Sequence, residues 1–200
     1  MNSDDLTGFM RFMERAENLK NTLRSGRTSL GRQESSAEHS WRLALMVLLL
    51  SPRCEGADPL RLLELSLVHD LAEAVCGDVP AVLQKENDGR AARERAAMFD
   101  LCADLPGDMR RKLHALRAEY EEGETLEAVL VKGMDKLETL MQHNQGKNSP
   151  EFDYAFNLRY ARKNTDVAPL LSALRERIDA MTRSRIRFDE PPSAKPRLSS

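Results

Sequence analysis

A chain of 200 residues with 41% hydrophobic side chains, 31% charged ones and a net charge of -2 has enough apolar material for one domain to bury its core without cross-links. The weak, mixed charge excludes nucleic acid and membrane surfaces as electrostatically driven partners. The longest apolar run, Leu43 to Leu50, falls far short of the about 20 residues that a bilayer span needs.

The three cysteines, Cys54, Cys76 and Cys102, form no CxxC pair and read as reduced, partly buried thiols. The charged start MNSDDLTGFMRFMERAENL lacks the apolar stretch of a secretion signal, so the cytoplasm is the expected location. Alternating Val/Ile/Thr segments are almost absent while Ala, Leu, Glu and Arg dominate, which predicts an all-α protein without internal repeats. A first helix is expected over 5–22, then a polar loop, LRSGRTSLGRQE. Ser35 with Glu38 three residues on has the form of a capping box and opens a second helix that runs to Ser51-Pro52. A third helix fits 58–72, broken off by Gly77 and Pro80, and further helices fit 88–104, 106–121, 124–143, 150–162 and 166–187. The domain is placed at 1–187, with the Pro- and Ser-rich residues 188–200 expected to be disordered. The second and third helices, apolar nearly all round, are expected in the middle of a bundle, with Trp41 in the core.

The stretch LSLVHDLAEAVCGD sets His69, Asp70, Glu73 and Asp78 in a segment that otherwise looks buried. Unpaired charge is costly to bury, so these groups are expected to be paired or to hold a metal. Imidazole and carboxylate suit divalent first-row metals. Glu73 shares a helical face with His69 and has the reach to act on a substrate or water. Two adjacent residues cannot fill a coordination sphere, and His39, in the first turn of the second helix, is the natural further candidate. A histidine at a helix end is also commonly a structural hydrogen-bonder or simply solvated, so both readings stand on the residues alone. Asp135 lies off the apolar stripe of Leu126, Val129, Leu130, Gly133, Met134, Leu137, Leu140 and Met141, and periodicity assigns it to the surface. His114 reads as a surface or packing residue, and His143 as one favoured by the helix C-terminal dipole. Gln142, Asn144 and Gln145 suit either a pocket lining or a polar helix end. Arg24, Arg27 and Arg32, ahead of the second helix, suit a phosphate if a metal is near and are solvated loop charges otherwise.

Taken in order, His39 in SSAEHSWR, His69-Asp70 in LVHDLAEAVCGD and Asp135 in KGMDKLET resemble the H…HD…D signature of the HD-domain metal-dependent phosphohydrolase superfamily, an all-helical bundle. The AEHS, HDxxE and GD motifs are similar to those of its bacterial 5'-deoxynucleotidase branch, over about residues 24–145. The resemblance implies that His39, His69, Asp70 and Asp135 bind one divalent metal, which turns Asp135 inward. Co2+ or Mn2+ is expected, with Mg2+, Zn2+ or Fe2+ as alternatives. It implies that Glu73 assists the attacking water or the leaving group, with Asp70 its catalytic neighbour, that Asp78 contacts the sugar and that Arg24 binds phosphate. The implied activity is release of phosphate from nucleoside 5'-monophosphates, 5'-deoxynucleotides in particular, and the family's habit implies a homodimer. One position departs: a tryptophan that helps recognise the nucleotide directly follows the arginine in that branch, and Ser25 stands here. Only His114 lies between the HD pair and Asp135, which favours a single metal. The alternatives are hydrolysis of guanosine tetraphosphate, whose enzymes resemble HDxxED where Ala74 follows Glu73 here, and a non-enzymatic helical binding module.

Overall fold

The computed structural model describes residues 1–85 and 88–189, the side chains of 187–189 excepted. Helix α1 (Ser3–Ala16) is opened by a reciprocal capping box between Asn2 and Asp5, which satisfies two of its free N-terminal amides. A short 3-10 turn (Glu17–Lys20) leads into β1 (Leu23–Arg27) and β2 (Gln33–Ser35). These strands pair antiparallel, Leu23 with Ser35 and Arg27 with Gln33, across an irregularity. The polar loop expected over LRSGRTSLGRQE is therefore largely a hairpin. Neither strand alternates apolar and polar residues, so periodicity carries no trace of it. Bonds to its backbone carbonyls hold it instead: the side-chain Nε2 of Gln142 donates to Arg27 O at 2.6 Å and the backbone Lys147 N to Thr28 O at 3.0 Å.

Ser35 caps α2 (Ser36–Leu50) as expected, its Oγ accepting from Glu38 N while Glu38 accepts from Ser35 N. Asp58 caps α3 (Pro59–Val68), with Pro59 at the first helical position, where its missing N–H costs nothing. This helix ends four residues before the expected boundary, and the chain turns through His69–Ala72 into the single turn α4 (Glu73–Cys76). Gly77, at φ 76 and ψ 162, takes a conformation other residues avoid and swings the chain towards Asp78. Next come α5 (Arg90–Leu101), α6 (Gly107–Glu122) and α7 (Leu126–Gln145). The helix expected over 150–162 is two pieces, α8 (Tyr154–Arg159) and α9 (Arg162–Thr165), broken at Ala161 with φ 55. α10 (Pro169–Asp189) closes the fold. Residues 190–200 of the tail expected to be disordered lie outside the described residues.

The centre of the bundle is α7, packed by α2, α3, α6, α9, α10 and the hairpin. It is buried on both faces, through Met134, Leu137 and Leu140 on the apolar stripe and Val131, Asp135 and Glu138 on the opposite side. Helices α2 and α3 are not enclosed as expected. Trp41 is 65% exposed, and Leu45, Leu48 and Leu49 of α2 with Leu60 and Leu67 of α3 are exposed too. The inner side of α2 is filled by His39, Ser40, Leu43 and Val47, which leaves its surplus of apolar residues facing outward. Cys54 and Cys102 are buried and Cys76 is exposed, all three free. Among the described residues no helix is long and apolar enough to cross a membrane.

Candidate metal centre

His39 is fully buried in the first turn of α2, and its Nδ1 meets the carboxylate of Glu138 on α7. His69 follows the last residue of α3 and donates from Nδ1 to the Ser66 carbonyl at 2.8 Å. Each ring therefore keeps a proton on Nδ1, and the two Nε2 atoms face each other 3.2 Å apart. Asp70 Oδ2 lies 3.0 Å from His69 Nε2 and 3.7 Å from His39 Nε2. Asp135 Oδ1 lies 3.2 Å from His39 Nε2. His39, His69 and Asp70 thus bring three ligand atoms within 4.8 Å of one another, and Asp135 joins them through His39. Burial and the Arg24 charge disfavour a protonated His39, but Asp135 and Glu138 outweigh them and push it up to about 9; two imidazoles with two carboxylates equally suit a divalent cation in place of that proton. The outer bonds from Nδ1 to a carboxylate and to a backbone carbonyl are those that orient ligating histidines.

Asp135 is 3% exposed, not on the surface as periodicity alone assigns it. The reason is tertiary: α3 and α6 cover the face of α7 opposite its apolar stripe. Tyr120 of α6 donates its hydroxyl to Asp135 Oδ2 at 2.9 Å, and Lys136 Nζ meets the same oxygen at 2.8 Å, so that Oδ1 is the oxygen turned to the cluster. Burial opposes ionisation of Asp135, but Lys136, His39 and His69 outweigh it and hold its carboxyl well below the usual range. Burial likewise works against Asp70, and His69, Arg24 and His39 overcome it.

Sequence reasoning misses Glu138. It is fully buried behind His39, with Oε1 lacking a hydrogen-bond partner among the described residues and lying 3.5 Å from Arg42 Nε. Its one sequence signal is its place about one turn beyond Asp135, on the same side of α7. Glu34 is buried beside it, and burial with the Glu138 charge pushes its carboxyl up to about 7. Glu34, His39 and Glu138 come within 4.8 Å of one another, but that group uses the Nδ1 side of His39, which Glu138 occupies.

The hairpin delivers Arg24. Arg24 and Gly26 point inward while Leu23 and Ser25 are exposed, the ordinary alternation of a strand. Arg24 donates to Asp70 Oδ2 at 3.0 Å and to Thr139 Oγ1 at 3.3 Å, with Glu34 3.8 Å from its Nε. Burial disfavours its charge, and Asp70, Asp78, Asp135 and Glu73 more than compensate. Glu73 accepts from Ser36 Oγ at 2.6 Å, and burial with repulsion from Asp70 and Asp78 pushes its carboxyl up to about 8. Asp78, half-buried near Arg24, is raised by burial against the pull of that guanidinium. Ser25 opens onto a separate cavity of about 420 Å³ lined by Phe152, Phe156 and Tyr160.

The remaining candidates fall outside the cluster. His114 stacks on Phe99 with ring centroids 4.3 Å apart, a packing residue as expected. His143 is not a charge favoured by the helix dipole. Burial, aided by Arg24, pushes it down to about 4 despite its bond to Asn157, so the ring is neutral. Gln142 braces the hairpin and Asn144 donates to Ile178 O, both as structural ties. Arg27 bonds the Gly31 carbonyl and Arg32 pairs with Glu38, so neither reaches the cluster.

A helical bundle that aims two imidazoles and two carboxylates, ordered H…HD…D along the chain, at one buried point defines the class of HD-domain proteins. The HD domain family model matches residues 16–175, and the chain belongs to that family. It is similar to the 5'-deoxynucleotidase HDDC2 of Mus musculus, 31% identical over 140 residues and 69% of each chain. It is also similar to the 5'-deoxynucleotidase HDDC2 of Xenopus laevis, 33% identical over 66% of each chain. A crystal structure described as a "predicted metal-dependent phosphohydrolase" from Magnetospirillum magnetotacticum MS-1 superposes with a TM-score of 0.75 at 27% identity, over 95% of this chain and all of that one.

Proposed function

We propose that this protein is a metal-dependent phosphomonoesterase that releases phosphate from nucleoside 5'-monophosphates, 5'-deoxynucleotides in particular. The observation that carries the reading is the pair of Nε2 atoms facing each other beside Asp70 and Asp135, next to a raised glutamate and a buried arginine. His39, His69, Asp70 and Asp135 would hold one divalent ion, Co2+ or Mn2+ ahead of Mg2+, Zn2+ or Fe2+. Such an ion, when bound, supplies Lewis acidity to a water and to a phosphoryl oxygen. Glu73, balanced near neutrality, takes a proton from the attacking water and returns one to the leaving oxygen. Asp70 anchors Arg24, whose guanidinium faces the phosphoryl charge. Asp78 accepts from a sugar hydroxyl. The cavity beside Ser25 receives the base between aromatic walls, in place of the tryptophan of the related branch. The apolar row Trp41, Leu45, Leu48 and Leu49 on α2 suits a homodimer contact, and the setting is the cytoplasm, with neither nucleic acid nor membrane as partner.

The test is phosphate release by metal-stripped protein after Co2+, Mn2+, Mg2+ or no addition. The substrates are 5'-deoxynucleoside and 5'-ribonucleoside monophosphates, with 3'-monophosphates as controls. Metal-dependent release from 5'-monophosphates alone supports the reading. Release without metal, or silence from every 5'-monophosphate while metal is bound, overturns it.

A further inference from the structure

A cavity of about 240 Å³ opens beside the cluster, and Arg24 takes no part in its lining. Beside His69, Asp70, Glu73 and Asp135, its lining holds four cations, Arg90, Arg117, Lys132 and Lys136, together with Glu94 and Glu121. These cations are held in place but incompletely matched. Arg90 and Arg117 share a single carboxylate, Glu94, at 3.3 and 2.5 Å. Arg117 is only 7% exposed, yet its Nε has no hydrogen-bond partner among the described residues. Lys132 donates to the Glu121 carbonyl at 2.9 Å and lies over the Tyr120 ring at 5.4 Å. Burial and repulsion from Arg117 and Lys136 lower its pKa, a sign of like charges crowded together. Lys136 spends one of its three N–H groups on Asp135 Oδ2.

Arg24, by contrast, is engaged by Asp70, Thr139 and Glu34 at once. The side of the cavity with spare donors is therefore the lysine and arginine wall. Crowded cations with unfilled donors, next to a point that itself attracts a cation, favour a multiply charged anion with several acceptor oxygens.

We propose that this wall is a phosphate subsite in which Lys136 contacts the phosphoryl oxygens of the substrate and of the orthophosphate released from it. The assignment rests on the phosphohydrolase reading and adds to it a contact made by none of the residues of the H…HD…D signature. Its closest rival is a purely positioning role, in which Lys136 acts only by orienting Asp135.

Orthophosphate titrated calorimetrically into the Co2+-loaded protein tests it, with the visible Co2+ spectrum reporting the ligand set. Lys136→Met should weaken orthophosphate binding at least about tenfold, the worth of one charge-assisted hydrogen bond, with the Co2+ spectrum unchanged. Lys136→Arg should restore most of the binding. Lys132→Met, which leaves both partners of Asp135 Oδ2 in place, should weaken it about threefold and serves if Lys136→Met fails to fold. No binding to the wild type, or equal binding to the Lys136 and Lys132 variants, overturns the proposal. Loss of binding that comes with an altered Co2+ spectrum overturns it in favour of the positioning role. Lys136-dependent orthophosphate binding in a protein that cleaves no nucleotide keeps the subsite and discards the nucleotidase reading.

Discussion

Replacing Glu138 with Gln keeps the shape of the side chain behind His39 and removes its charge. The Nδ1 proton of His39 then faces a neutral amide oxygen, and the ring becomes a poorer donor at Nε2. Losing such an outer partner costs about 10- to 100-fold in metal affinity. At free Co2+ of about 100 times the wild-type Kd, binding stabilises the folded protein by about 2.7 kcal/mol; after a 10- to 100-fold loss the same concentration yields about 1.4 to 0.4 kcal/mol. For a chain of this size 1 kcal/mol moves Tm by about 2–4 °C. The Co2+-induced rise in Tm, about 5–11 °C in the wild type, should therefore shrink to about half of that or less. Thermal unfolding of both proteins in chelator and in buffered Co2+ measures this directly. The chelated samples also absorb any separate effect of leaving Arg42, 3.5 Å away, without its carboxylate. An undiminished rise in Glu138→Gln would refute the argument that this residue orients His39.

Asp70→Asn should lose Co2+ binding and phosphate release together, whereas Glu73→Gln should lose about 10²- to 10⁴-fold in turnover and keep the Co2+-induced rise in Tm; the opposite pattern would reverse the two roles. His143, at about 4 in the folded state against an ordinary value near 6.5, binds fewer protons folded than unfolded. Its contribution is thus complete above the unfolded value and is lost as pH falls towards 4, about 2 kcal/mol of it between pH 7 and pH 5. Urea unfolding in chelator at the two pH values should show that loss in the wild type and a smaller one in His143→Gln; equal losses would mean the ring is not held neutral. Gly133→Ala should gain about 1 kcal/mol in helix propensity, but its Cβ would sit 2.7 Å from Asn164 O and 2.5 Å from Leu171 Cδ1. Overpacking of that kind costs about 1–3 kcal/mol, so a net loss is expected in the same urea assay, and a stabilised variant would show that α9 yields freely.

Signals that act within one or two helical turns are legible in the amino-acid sequence itself. Ser35 and Glu38 mark the start of α2, Asp58-Pro59 stands where α3 begins, and the apolar stripe of α7 lies along one side of a single continuous helix. The ordered quartet His39, His69, Asp70 and Asp135 is legible too, through its resemblance to a known signature. Periodicity by itself leaves Asp135 outside and Trp41 inside, and the fold reverses both, because a helix's own pattern does not state what covers its second face. α7 is wrapped on both sides and α2 on one, an outcome decided by helices distant in the chain. The hairpin and Glu138 are hidden for the same reason. One depends on the Gln142 side chain at the end of α7 bonding Arg27 O, and the other has a purpose only once α2 lays His39 against it. Local sequence determined the helices and named the chemical groups. Only the tertiary packing decided which of those groups share one buried point, since that depends on long-range burial and charge pairing rather than on any neighbour in the chain.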